Sequence, residues 1–222
     1  MSIKESLLKI KKEIPEAVTL VAVSKTKPIS DLKEAYEAGQ RVFGENKIQE
    51  MTQKWEVLPK DIQWHMIGHV QRNKVKYMAE FVSLIHGIDS LKLLKEINKQ
   101  AKKHNRTIDC LLQVHIAEED TKFGLSESEL HKIIASDECK ALENITIVGL
   151  MGMATFTSDE NQVEKEFTVL KSIFDRLKNK NTKNIKIDTL SMGMSGDYKI
   201  AIQKGSTMVR IGSSIFGTRN FS

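Results

Sequence analysis

Residues 18–39 read VTLVAVSKTKPISDLKEAYEAG, and the change of pattern inside this stretch decides the fold class. Val18 to Ser24 is a short run of apolar, largely β-branched residues, the composition of a buried strand. An amphipathic segment follows, with Ser30 in the place of a helix N-cap and Gly39 supplying the stop. The order is strand, loop, helix.

That unit recurs along the chain. A helix is expected from Ser2 to about Ile14, ahead of the first strand. Further strands are expected over Arg41 to Gly44, Gln63 to Ile67, Phe81 to Gly87, Ile108 to Ile116, Ile145 to Met151, Lys186 to Leu190 and Met208 to Ile211. Helices are expected around Asn46 to Val57, Asn73 to Ala79, Leu91 to His104, Glu127 to Ala135, Glu160 to Leu177 and Tyr198 to Lys204. Strands alternating with helices imply parallel pairing through right-handed crossovers. This many repeats predicts an α/β fold, a single (β/α)8 barrel of TIM type spanning residues 1–222, with an extra N-terminal helix. A doubly wound open sheet is the alternative. In a closed ring the N-terminal helix would cover the outer face beside the last strand, where the usual final helix is missing.

Composition narrows the function class. At 222 residues and 40% hydrophobic, the chain can bury a full core, and its charged fraction of 28% argues against disorder. The net charge of +5 exerts only a weak pull on anionic ligands. The lysines of Lys9 to Lys12 and Lys171 to Lys183 are spread along amphipathic helices, as on a solvated face, so no nucleic-acid partner is expected. Cys110 and Cys139 have the spacing of neither a zinc site nor a disulfide framework, which suits a reducing cytosol. Lys4, Glu5, Lys9, Lys11 and Lys12 exclude an apolar signal core, and no apolar run is long enough to span a bilayer. A soluble, cytoplasmic protein with no membrane partner is expected.

In such a barrel ligands bind at the carboxyl ends of the strands. Lys25 follows the first strand and shares parity with Val21 and Val23, so its amine is directed toward the barrel mouth. Desolvation there lowers lysine basicity and favours the neutral amine that attacks an aldehyde. A strand-end lysine that reaches back to water is the plainer alternative, and Lys27 has the same parity. After the seventh strand comes Ser191-Met192-Gly193-Met194-Ser195-Gly196-Asp197; Gly212, Ser213 and Ser214 follow the eighth. Ser195 is placed to cap a helix starting near Asp197, and two such turns after the last two strands are where many barrels hold a phosphate. Arg210 either meets a ring nitrogen or phosphate oxygen of the same ligand, or faces outward as a surface arginine. His65, His86 and His115 come from separate strands without carboxylate spacing, so they are expected as hydrogen-bonded histidines of the mouth, with no metal. Met151, Met153, Met192 and Met194 are expected to pack the barrel interior or line the pocket.

Taken together these residues resemble the pyridoxal phosphate homeostasis proteins, related in fold to the N-terminal barrel of alanine racemase. The resemblance spans nearly the whole chain. Ala22-Val23-Ser24-Lys25-Thr26-Lys27-Pro28 is similar to the family's lysine segment, and Phe43-Gly44-Glu45-Asn46 with Gln49-Glu50 to its second-strand motif. Trp64-His65-Met66-Ile67-Gly68, Gln71 and Asn73-Lys74 are similar to its third. Leu190 to Ser195 with Asp197, then Gly205 to Gly212 and Ile215-Phe216-Gly217, resemble its phosphate region. The resemblance implies pyridoxal 5′-phosphate (PLP) as cofactor, bound as a Schiff base to Lys25 rather than Lys27. It places Asn46 beside the cofactor, with Met194, Ser195, Arg210, Gly212 and Ser213 around its phosphate and ring. Two places depart from the pattern: His115, where the family usually has asparagine, and His69-Val70, where many members have proline and leucine.

Racemases of this fold are dimers that place a tyrosine from a second domain on the opposite face of the cofactor. No second domain is legible here, so the resemblance implies a monomeric protein that stores, buffers or delivers PLP, with apo-enzymes as transient partners, and not an enzyme. A PLP-dependent amino-acid enzyme such as a racemase is the alternative.

Overall fold

The computed structural model describes residues 1–119 and 123–218 of the chain. Eight parallel strands close into a barrel in sequence order: β1 (Thr19–Val23), β2 (Val42–Glu45), β3 (Gln63–Met66), β4 (Val82–Ile88), β5 (Ile108–Gln113), β6 (Ile145–Met151), β7 (Ile185–Met194) and β8 (Met208–Ile211). Closure is made by β1 against β8, with Val21 opposite Arg210 and Ala22 opposite Ile211. The expected closed barrel is therefore observed, and the open sheet is not.

Around the barrel run α1 (Ile3–Glu13), α2 (Ile29–Glu37), α3 (Ile48–Val57), α4 (Leu91–Lys103), α5 (Glu127–Ala135), α6 (Asp137–Lys140), α7 (Glu160–Leu177), α8 (Tyr198–Gln203) and α9 (Ser213–Phe216). The segment expected as a helix at 73–79 is a 3-10 turn, Arg72–Tyr77. Val75, Met78 and Ala79 are all buried there, but the Met78 carbonyl accepts from the Phe81 and Val82 amides, so the chain turns into β4 instead of extending the helix. The N-cap assigned to Ser30 is also corrected. The helix already begins at Ile29, with Pro28 in extended conformation at the cap, because the fixed proline φ starts the turn two residues earlier.

Strand parity separates two cores. Val21, Leu84, Leu111, Met151 and Met208 fill the barrel interior, with Met153 packed against them. The neighbouring positions Leu20, Ala22, Phe43, Trp64, Ile85, Leu112 and Val209 face the helices in a much larger outer layer. Met192 belongs to that layer, contrary to its expected interior place, because β7 runs on to Met194 and its parity carries Ser191 inward instead.

Helix α1 covers the seam expected for it. Ser2 and Glu5 form a capping box at its start, and Leu7 and Ile10 are buried below. The helix packs against α2 and α9, on either side of the β8–β1 closure. Its last residue, Glu13, accepts a 2.6 Å hydrogen bond from Tyr198 Oη and pairs with Lys199 at 3.0 Å. No helix among the described residues is long and apolar enough to cross a membrane.

Candidate functional site at the carboxyl rim

The barrel's closure brings the two ends of the chain together. Lys25 stands two residues beyond β1 and is half-buried. Gly212, just past β8, lies so close to β1 that a Cβ on it would sit 3.1 Å from the Val23 carbonyl oxygen and 3.2 Å from Val23 Cβ. Its amide donates to Ser195 Oγ at 3.1 Å. One hydrogen bond thus joins the β7 and β8 turns, and one backbone contact seats them against the strand that leads to Lys25.

Ser195 was expected to cap the following helix. It does not: the cap of α8 is Asp197, and Ser195 Oγ is occupied by Gly212. The turn is instead held by Asp197, whose carboxylate accepts from the Met194 amide and whose own amide donates to the Met194 carbonyl. Gly193 enters it at φ +97, where a Cβ would meet Ala201 Cβ at 2.6 Å. Beside Gly196 nothing lies within 4 Å of a Cβ position, so the turn has open space on one side. Ser213 and Ser214 are exposed at the start of α9, and Met194 is half-buried opposite Arg210 in the strand register. Asn46, half-buried, follows β2 beside β1. The expected set therefore lies at or just beyond the ends of four adjacent strands, β7, β8, β1 and β2.

A cleft of about 470 Å³ opens beside the same turn, between Ser195–Ile200 and α1. Ser195 lines it, whereas Lys25, Asn46 and Arg210 do not.

Arg210 points into the barrel and is 3% exposed, which excludes the surface alternative. Its Nη1 donates to Ser191 Oγ at 2.6 Å and its Nη2 to the Gly152 carbonyl at 3.1 Å. Burial lowers its pKa to about 10, with Asp197 acting the other way, so the guanidinium remains charged at neutral pH. From Ser191 a polar string crosses the barrel: His86 Nδ1 lies 3.1 Å from Ser191 Oγ, and His86 Nε2 lies 3.1 Å from His65 Nδ1. Burial pushes the pKa of His65 down to about 3. It pushes that of His86 well below the ordinary value, assisted by His65 and Arg210. Both rings are neutral at pH 7, each with one N–H, so donation running Arg210 to Ser191 to His86 to His65 satisfies every contact. His115 stands apart, its Nε2 3.1 Å from the Glu119 carbonyl. The three histidines are hydrogen-bonded as expected, but His65 and His86 are interior groups rather than rim groups.

Lys27 is accounted for. Its Nζ donates to the Phe216 carbonyl at 2.7 Å and to that of Thr218 at 3.3 Å, closing the end of α9. Gly152 and Lys54, which pairs with buried Glu45 and half-buried Glu50 behind the Lys25 turn, were not expected as parts of the site, and Ser191, Glu45 and Glu50 stood only within longer motifs. The Glu50–Lys54 spacing of four on one helix was the available signal.

Comparison with known proteins agrees with this architecture. The alanine racemase N-terminal domain family model matches residues 2–220. The pyridoxal phosphate homeostasis protein of Pasteurella multocida is 38% identical over 100% of both chains. That of Vibrio alginolyticus is 40% identical over 94% of this chain and 89% of the relative. PipY of Synechococcus elongatus, solved with PLP bound, superposes with a TM-score of 0.88 at 32% identity, covering 97% of this chain and 100% of that one. The chain belongs to the pyridoxal phosphate homeostasis proteins, a family built on the alanine racemase N-terminal barrel.

Proposed function

We propose that the protein binds PLP at this rim and serves the cofactor's intracellular homeostasis by holding it, buffering it and handing it on. The observation that supports the reading is the close approach of Gly212 to Val23 and its hydrogen bond to Ser195, which join the β7 and β8 turns next to the strand that leads to Lys25. The relatives' names and the PLP-bound PipY structure support the same ligand.

The residues present fit the group. The Ser195 and Ser213 hydroxyls and the backbone amides of these turns would hold a phosphate, the Gly212 amide by exchanging its present bond to Ser195 Oγ, and a Cβ at Gly212 would be tighter against Val23 than an ordinary contact. Lys25 would hold the aldehyde carbon as a Schiff base, and Asn46 and Met194 would flank the ring. When bound, PLP supplies an aldehyde and an electron-withdrawing ring. Arg210, charged and fixed by Ser191 and Gly152, would donate to the ring nitrogen and keep a proton off it, which weakens the ring as an electron sink. That arrangement favours binding over carbanion chemistry.

The racemase alternative needs a second acid or base opposite the lysine. Tyr36 donates to Asp61 at 2.8 Å, Tyr198 to Glu13 at 2.6 Å, and Tyr77 lies on the 3-10 turn with half its surface exposed. Burial and Glu13 raise the Tyr198 pKa to about 12, unsuited to proton exchange near neutrality. The proposed working form is a cytoplasmic monomer, with PLP-requiring apo-enzymes as recipients.

Titrating apo-protein with PLP should develop absorbance near roughly 420 nm, and the loaded protein should not exchange amino-acid α-protons in deuterated water. Rapid exchange would establish the enzyme reading in its place, and no absorbance would remove PLP from both.

A further inference from the structure

Lys25 occupies the second position of a four-residue turn closed by the Lys27 amide on the Ser24 carbonyl at 3.0 Å. The third position, which ordinarily takes glycine, is Thr26 at φ +64. A β-branched residue stays there only if its surroundings force it.

The surroundings are a buried charge cluster. Lys54 is 5% exposed and Glu45 0%. Lys54 Nζ donates at 2.8 Å to three oxygens: the Ser24 carbonyl, Glu45 Oε1 and Glu50 Oε1. Ser24 Oγ donates to Glu45 Oε1 at 2.6 Å, and the Thr26 amide donates to Glu50 Oε1 at 2.6 Å. Both neighbours of Lys25 are thus tied to one ammonium and its two carboxylates. The cluster is a poor stabiliser by itself. Burying an ion pair brings little net gain over apolar packing, and Glu45 Oε2 is buried without a hydrogen-bond partner. What it does supply is a fixed geometry for the two peptide groups that flank Lys25.

We propose that Lys54, clamped between Glu45 and Glu50, is a positioning residue that holds the Ser24–Lys27 turn so that the Lys25 amine meets the PLP aldehyde. This rests on the proposed binding of PLP to Lys25. In the step it serves, Lys25 Nζ forms a bond to the aldehyde carbon, and the carbonyl oxygen leaves as water with the two amine protons. Misorientation of the amine slows that step without touching the phosphate contacts, which come from β7 and β8.

The test compares covalent capture of PLP with binding of pyridoxamine 5′-phosphate, which has the ring and phosphate but no aldehyde. Lys54→Met and Glu50→Ala should slow capture by ~10-fold or more while the Kd for pyridoxamine phosphate changes by less than ~2-fold. Glu50→Gln, which keeps an oxygen for the Thr26 amide, should recover most of the Glu50→Ala loss. Unchanged capture in folded variants, or a parallel loss of pyridoxamine phosphate binding, would overturn the assignment. Should Lys54→Met not fold, the half-buried Glu50 pair decides. If the wild-type protein captures PLP on a residue other than Lys25, the binding proposal itself fails, and the clamp with it.

Discussion

Replacing Gly193 with alanine should damage the turn after β7 more than the same substitution at Gly196. The residue sits at φ +97, where an L side chain carries a backbone cost of about 1–2 kcal/mol. The added Cβ would lie 2.6 Å from Ala201 Cβ and 3.0 Å from Tyr198 Cα. Neither can retreat easily. Ala201 is fully buried, and Tyr198 is fixed to Glu13 of α1, so overpacking adds about 1–3 kcal/mol. The sum is about 2–5 kcal/mol, and at about 2–4 °C per kcal/mol for a chain of this size, Tm should fall by about 4–20 °C. Gly196→Ala is the matched control. It lies three residues away, without positive φ and with nothing within 4 Å of its Cβ, and should shift stability by no more than about 0.5 kcal/mol. Urea and thermal unfolding followed by circular dichroism give both values. A Gly193→Ala loss below about 1 kcal/mol, or one equal to that of the control, would refute the packing argument.

Further outcomes follow from the same geometry. Glu166 is buried, and although burial alone would raise its pKa, hydrogen bonds from Thr155, the Glu118 amide and Gln162 hold it below the ordinary carboxylate range. Its contribution should be complete above about pH 4.3 and lost as pH falls through the lowered value, so the stability gap between wild type and Glu166→Gln should narrow on acidification in urea titrations. A gap that widens toward low pH contradicts this. The ring signals of His65 and His86 should not titrate between pH 5 and 8 by NMR; a midpoint near the free-histidine value would show that the string is not neutral. Lys27→Ala should loosen the end of α9 yet retain the covalent PLP adduct, as read by mass spectrometry of the reduced protein. Loss of the adduct in that variant alone would transfer the role from Lys25 to Lys27.

Much of the barrel was legible because each strand is a short apolar run between helix signals. Ile145–Met151, Met208–Ile211, Glu127–Ala135 and Glu160–Leu177 have the bounds their local patterns suggest. Legibility stopped where a distant partner overrides the local rule. Ser191-Met192-Gly193-Met194 has turn composition, yet it continues β7 because Ser191 and Met194 pair with Met208 and Arg210 across a register shift. Ser195 and Ser30 precede helices as caps do, yet Ser195 serves Gly212 and Ser30 lies inside its helix. The sequence left Arg210 open between an inward and an outward direction, and its fixing by Ser191 and Gly152 decides for the interior. Lys54 shows the limit most sharply: an unremarkable helical lysine in sequence, it reaches Ser24 thirty positions earlier because β1, β2 and α3 are packed together.

Borohydride trapping identifies the amine that takes the cofactor. Apo-protein incubated with PLP, reduced with borohydride and digested, should yield one modified peptide, carrying the reduced adduct on Lys25. An adduct found on Lys27, Lys54 or any other lysine while Lys25 stays unmodified would contradict the account.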